Sequence, residues 1–258
     1  MRRYVYLDNA ATTPVDPRVW EKMGTIAKTF FGNPSSLHCF GEEAEEIMEG
    51  AKQTILQLIG AKGGKVVVTS GGTEANNLAI KGVARMYSAQ GKHVVISAIE
   101  HEATLAACAT LRREGFQVTQ IPVDRHGTVD VEALASAIGP ETTLVSVMHA
   151  NNEVGTIQPI GTIGQIIKSK REKFGSVTPF FHCDAVQTAG QLDLEVDRWG
   201  VDLLSLSAHK FYAPKGVGAL YVRKGIRLTP LLDGGGQEFG WRSGTQNVAG
   251  LAAMAYAL

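Results

Sequence analysis

From Val66 onward the chain alternates short apolar runs with amphipathic stretches, and few folds satisfy that pattern. Val66–Ser70, His93–Ser97, Phe116–Val123, Thr142–His149, Phe180–Asp184, Asp202–Ser207 and Gly218–Val222 read as strands. Between them, 73–88, 101–114, 129–138 and 160–174 carry apolar residues at helical spacing. Leu78, Ile80, Val83, Ala84 and Tyr87 give the first of these helices one inward face. Several strands are apolar on both faces and need cover from both sides. The pattern predicts an α/β fold: a mostly parallel sheet sandwiched by helices. Upstream, Asp16-Pro17 predicts a helix start, with Asp as N-cap and Pro in the first helical position. A second helix is expected over about 41–59, a short extended stretch over Tyr4–Leu7 and an Ala-rich helix within 244–258.

Composition narrows the partners. Lys+Arg and Asp+Glu balance at 25 each in 258 residues, without a like-charge run. That argues against nucleic acid and leaves a small-molecule substrate as the expectation. Cys39, Cys108 and Cys183 lie far apart, in no metal-ligand spacing, so neither a disulfide framework nor a zinc site is expected. The first residues lack an apolar signal core and no run approaches membrane-spanning length. A soluble, cytoplasmic protein without membrane contact is the expectation.

In open α/β sheets, ligands bind beyond the carboxyl ends of the strands, so the residues there are the candidates. After Val66–Ser70 comes a Gly-rich turn, with Gly72 and Thr73, opening a helix whose free N–H groups suit a phosphate. It is neither a P-loop nor a dinucleotide fingerprint. His101 follows the next strand, and an imidazole there can stack on a planar ring or move a proton. Asn152 follows Thr142–His149, while Asp184 and Gln187 close Phe180–Asp184. Beyond the apolar Leu203–Leu206 come Ser207, His209 and Lys210, and a lysine just past a buried strand is a usable nucleophile toward carbonyls. Each position alone has a bland reading: a turn glycine, a capping amide, a lysine whose head snorkels to solvent. Together they form the set that pyridoxal phosphate requires: phosphate cradle, stacking imidazole, amide, acid and amine.

These residues also lie in motifs that resemble the cysteine desulfurases of the NifS/IscS type, class V fold-type I pyridoxal phosphate enzymes. The motifs are YLDNAATTP (6–14), GNPSSLH (32–38), TSGGTEANNLAIKG (69–82), EHEA (100–103), HANNEVGTIQPI (149–160), HCDAVQTAG (182–190), LLSLSAHKFYAPKGVGALYVR (203–223) and GGGQEFGWRSGTQNVAG (234–250). The resemblance implies that Lys210 is the Schiff-base lysine and that Asp184 binds the pyridine nitrogen. Gln187 and Asn152 would face the ring hydroxyl, and His101 would stack on the ring and serve acid/base steps. Thr73, Ser207 and His209, with the Gly72 backbone, would bind the phosphate. Thr245 would reach the phosphate of a neighbouring subunit in a homodimer.

By the same resemblance, 1–15 is an N-terminal segment packing with a small domain, and 16–258 is the pyridoxal-phosphate-binding large domain. The C-terminal part, with the catalytic cysteine loop and the substrate-clamping arginine, is expected to be missing. All three cysteines present are therefore expected to be structural, and the N-terminal segment and Ala-rich end to expose apolar surface. The implied activity converts L-cysteine to L-alanine and passes sulfur to an enzyme cysteine, with a sulfur acceptor or scaffold protein as partner. The alternatives are a non-desulfurating, dimerising partner of a full-length homologue, or another class V enzyme such as a selenocysteine lyase or aminotransferase.

Overall fold

The computed structural model describes residues 4–258. Among them β1 (Lys65–Thr69), β2 (His93–Ser97), β3 (Gln117–Ile121), β4 (Thr142–Met148), β5 (Phe180–Asp184), β6 (Leu203–Ser207) and β7 (Gly218–Val222) form one sheet. Its spatial order is β1-β7-β6-β5-β4-β2-β3. The pairings β2–β3, β2–β4, β4–β5 and β5–β6 are parallel, and β7 runs antiparallel to both β6 and β1. The sheet is thus mostly parallel, as the sequence pattern predicts. β7 reverses because the 208–217 connection is too short for the helical crossover that a parallel neighbour requires.

Helices cover both faces. α3 (Gly72–Met86) and α4 (Glu102–Arg113) pack on Val67, Val94, Ile96, Leu144, Leu203 and Leu220. On the other face, α1 (Pro17–Thr29), α2 (Cys39–Leu58), α6 (Ile160–Phe174) and α8 (Val248–Ala257) pack on Val66, Val68, Val95, Val145, Phe181 and Leu204. Strand alternation sends successive side chains into these two layers. Each fully buried Leu, Ile or Phe contributes about 1.5–3 kcal/mol. α5 (Val131–Ala137) and α7 (Val196–Trp199) complete the connections. The Asp16 carboxylate accepts from Arg18 N–H at 2.8 Å, with Pro17 opening α1, as the N-cap pairing implies.

Tyr4–Leu7 pairs with no strand, and Tyr4 and Leu7, each 87% exposed, give the N-terminal segment the exposed apolar surface that the sequence predicts. Two expectations change. α8 is not left bare: Leu251, Ala253 and Met254 are fully buried, and its small side chains let it sit close against α1 and α2. Finally, Cys108 and Cys183 are buried and fit a structural reading, whereas Cys39 is exposed at the start of α2. Among the described residues no helix is long and apolar enough to cross a membrane, and no cluster of His, Cys, Asp and Glu is placed to hold a metal.

Candidate active site

β1, β2, β4, β5 and β6 run the same way, so their carboxyl ends share one edge of the sheet. The segments that follow them converge on a single cavity of about 260 Å³. Gly72, Thr73 and Asn76 come from the start of α3, and His101 from the loop after β2. Met148 and Asn152 come from the end of β4, and Asp184, Val186 and Gln187 from β5. Ser207, His209 and Lys210 follow β6, and Ala11 closes one side.

Asp184 forms the floor. Its Oδ1 accepts from Val186 N–H at 3.0 Å and its Oδ2 from Asn76 Nδ2 at 2.6 Å. Burial pushes its carboxyl up, while those two donors and the charges of His101 and Lys210 pull it down. Such a carboxylate, dry and held by two N–H groups, has lone pairs left for a ring N–H.

Lys210 ends a 3₁₀ turn, Ala208–Lys210, directly after β6. Burial lowers its pKa, opposed by Asp184 and Asp8. Its Nζ donates to the carbonyls of Ala10 and of Ala11, the latter at 3.0 Å, and Gln187 Nε2 donates to the Ala10 carbonyl at 3.0 Å. The N-terminal strap is pinned here. Thr13 N–H and Oγ1 both donate to the His209 carbonyl, and Tyr212 N–H donates to Thr13 Oγ1 at 2.8 Å.

The other end of the cavity is an anion cradle. Gly71 precedes α3 without any side-chain cap, so the first helical N–H groups stay open. A Cβ on Gly72 would lie 2.7 Å from Val186 Cγ2 and 3.3 Å from Ser207 Cβ, so a side chain there would fill the cradle. His209 bonds Thr12 Oγ1 through Nδ1 at 3.0 Å, and burial with nearby Lys210 and Lys215 lowers its pKa. His101 caps α4, its Nδ1 accepting from Ala103 N–H at 3.1 Å. That bond leaves Nε2 as the ring nitrogen free to act in the cavity.

The structure brings together Gly72, Thr73, His101, Asn152, Asp184, Gln187, Ser207, His209 and Lys210. Thr245 is exposed and lies outside this cavity. Its segment is tied to the cradle by Arg242, whose Nε meets Glu74 Oε1 at 2.7 Å. Sequence reasoning passed over Asn76, Ala11, Met148 and Val186. Asn76 carried a signal, as a polar residue among Ala75, Leu78 and Ala79 on the inward side of α3.

Comparison with known proteins agrees with this geometry. Residues 5–258 match the family described as Aminotransferase class-V. A cysteine desulfurase IscS of Dictyoglomus turgidum is 52% identical over 258 residues, covering all of this chain and 64% of the relative. The chain thus spans about 64% of the length of that curated relative. A solved NifS-like protein superposes with a TM-score of 0.92 at 43% identity, covering 98% of this chain and 68% of that one. A structure described as SspA in complex with cysteine gives 0.90 at 40% identity, covering 98% and 71%. The sheet topology, the strand-end cavity and these likenesses agree: the chain belongs to the class-V aminotransferase family and, within it, to the NifS/IscS-type proteins.

Proposed function

We propose that this chain carries the pyridoxal 5′-phosphate site of a cysteine desulfurase, which takes L-cysteine to L-alanine and passes the sulfur to a cysteine thiol. One observation carries the reading: an uncapped helix start at Gly72, the amide-braced Asp184 and the half-buried Lys210 share one cavity. The donor set fits the cofactor. Gly72 and Thr73 N–H groups, Ser207 and His209 suit its phosphate, and the site has no room for a side chain at Gly72. Asp184 suits its ring nitrogen, Asn152 and Gln187 its ring hydroxyl, and the Lys210 amine its aldehyde.

When bound, the cofactor supplies an electron sink for bonds at the substrate's α- and β-carbons. The chain does the rest. Asp184 keeps a proton on the ring nitrogen. Lys210, poorly solvated, reaches its neutral nucleophilic form at lower pH than a free lysine. His101 Nε2 can give or take the proton that moves when substrate replaces Lys210. None of the three cysteines lines the cavity, so none stands ready at the site to accept sulfur.

The finer parts of the reading follow. A homodimer would place Thr245 of one subunit at the phosphate of its neighbour, in keeping with its outward position beside the cradle. Residues 1–15 would join this large domain, 16–258, to a small domain, and the exposed Tyr4 and Leu7 suit such a contact. Delivery of sulfur to an acceptor or scaffold for iron–sulfur cluster assembly, in the cytoplasm, fits the IscS-type relatives and the unpaired cysteines. A cavity without its own thiol also favours a second reading, a dimerising partner that binds the cofactor and leaves desulfuration to a full-length homologue.

The test is an absorbance spectrum with added pyridoxal phosphate, before and after L-cysteine, for wild type and Lys210→Ala. A visible band that needs Lys210 and shifts with cysteine supports the cofactor site. Absence of the band overturns it. Activity restored by a supplied C-terminal polypeptide selects the desulfurase, and binding to an intact homologue without gain selects the partner.

A further inference from the structure

Glu100 precedes His101 yet faces inward. It is 5% exposed, and its Oε1 accepts from Ser97 Oγ at 2.5 Å and from Met148 N–H at 2.8 Å. Ser97 ends β2 and Met148 ends β4, so one oxygen atom ties together the two strand ends that present His101 and Asn152. A second tie runs alongside, from Asn151 Nδ2 to the Ile99 carbonyl at 2.8 Å. Met148 also lies in register with Asp184 on the neighbouring strand. The second oxygen, Oε2, is buried without any partner, as is the amide oxygen of Asn76, whose nitrogen holds Asp184.

The charges around Glu100 decide its protonation. Asp184 on β5 is the acid whose field reaches it, and the field of Glu100 in turn reaches the thiols of Cys108 on α4 and Cys183 on β5. Burial pushes both thiols up, Cys108 to about 12, so neither supplies charge at neutral pH. Among the described residues no cation answers Glu100. Asp184 has Lys210 and His101 beside it. Two carboxyl groups in each other's field are sorted by such a difference in surroundings.

We propose that Glu100 is a positioning residue held as the neutral acid, which locks the His101 and Met148 strand ends together and leaves Asp184 as the only carboxylate charge beneath the ring. It touches neither substrate nor cofactor and acts through the groups it holds. Burial pushing its pKa up to about 8 agrees with that state. An ionised Glu100 would put a second anion beside Asp184, raise the Asp184 pKa, and weaken its hold on a ring proton.

This inference rests on the cofactor-site reading only for its spectroscopic half, so two measurements are paired. The first uses the chain without cofactor. Glu100 is neutral in the fold but ionises near pH 4.5 when unfolded, so its own contribution to wild-type stability falls as pH rises from there to about 8, against the opposite slope that the buried histidines give below pH 6.5. Glu100→Gln removes this loss while keeping an oxygen acceptor for Ser97 and Met148. Its melting temperature should gain on wild type by at least about 4 °C between pH 5 and pH 8, and then level off. The second adds pyridoxal phosphate and follows visible circular dichroism. Glu100→Gln should retain the band, whereas Glu100→Leu, which strands the Met148 N–H, should bind roughly tenfold more weakly. A melting-temperature gap independent of pH overturns the neutral acid. Equal cofactor binding by Glu100→Leu and wild type overturns the positioning role. Should wild type itself bind no cofactor, the cofactor reading fails while the melting curves still decide the state of Glu100.

Discussion

Asn76 Nδ2 donates a 2.6 Å hydrogen bond to Asp184 Oδ2, joining the second turn of α3 to the end of β5. The bond crosses from the helix that opens the anion cradle to the acid on the cavity floor. It keeps one lone pair of a fully desolvated carboxylate satisfied. Asn76→Ala leaves that oxygen buried without its amide donor. The expected loss of stability is about 1–3 kcal/mol by urea unfolding, with weaker pyridoxal phosphate binding because the Asp184 pKa rises further. If stability and affinity both match wild type, Asp184 does not depend on this brace.

Gly72 is fixed by the 2.7 Å approach that a Cβ would make to Val186 Cγ2. Gly72→Ala should cost about 1–3 kcal/mol through overpacking and should reduce cofactor affinity. Adding Val186→Ala removes the obstructing methyl group, so the double variant should recover most of the stability. Additive losses in a double-mutant cycle would show that the clash is not the cause.

Acid lability follows from two buried histidines. His182 sits between Ser146 Oγ at 2.8 Å and Ser205 Oγ at 2.9 Å, and burial lowers its pKa to about 3. Burial likewise lowers that of His149 to about 4. Both folded values lie below the ordinary 6.5, so between them the unfolded chain binds more protons. The histidine contribution to stability should therefore be full above about pH 6.5 and fall on acidification, by up to about 1.4 kcal/mol per pH unit for each histidine. His182→Gln should lower stability at pH 7.5 yet flatten this acid limb. An unchanged slope in thermal melts from pH 4 to 7 would exonerate His182.

The 234–250 segment is anchored by a buried carboxylate. Glu238 takes Val68 N–H at 2.7 Å and Lys52 Nζ at 3.2 Å, and the Lys52 side chain is only 5% exposed. Lys52→Met strands that charge inside the protein and should cost about 3–5 kcal/mol. Lys52→Met combined with Glu238→Gln should recover much of it. A double variant no better than Lys52→Met alone would mean that packing by the lysine stem, and not its charge, is what matters.

Much of this was legible in the sequence where local and global signals agree. The strands His93–Ser97, Phe180–Asp184 and Gly218–Val222 and the helix Ile160–Phe174 have the bounds that their apolar runs and breakers predict. Nine candidate site residues meet because parallel strands put their carboxyl ends on one edge, which converts scattered positions into neighbours. The direction of β7 was not legible as a pattern, since apolar alternation reads the same both ways. Neither was the brace at Asn76: a polar residue in a helix declares its partner only once the sheet is assembled. Glu100 was masked by His101, the more obvious chemistry next to it. Cover for α8 depends on how closely alanines let α1 and α2 approach, and that is a property of three helices at once.

The place of β7 in the sheet also sets a schedule. β1 has a single strand neighbour, and its register pairs Lys65 with Val222. On the ribosome the first strand to emerge must therefore wait, its edge unpaired, until the last strand has been translated and slips in beside β6. Closing so long a span makes the packing behind Gly71, at the start of α3, a late acquisition, since Gly218 sits so tightly against it that a Cβ there would lie 2.6 Å from Gly71 Cα. The nascent chain would bury its central strands first and close the edge beside the start of α3 only when biosynthesis of the sheet is complete.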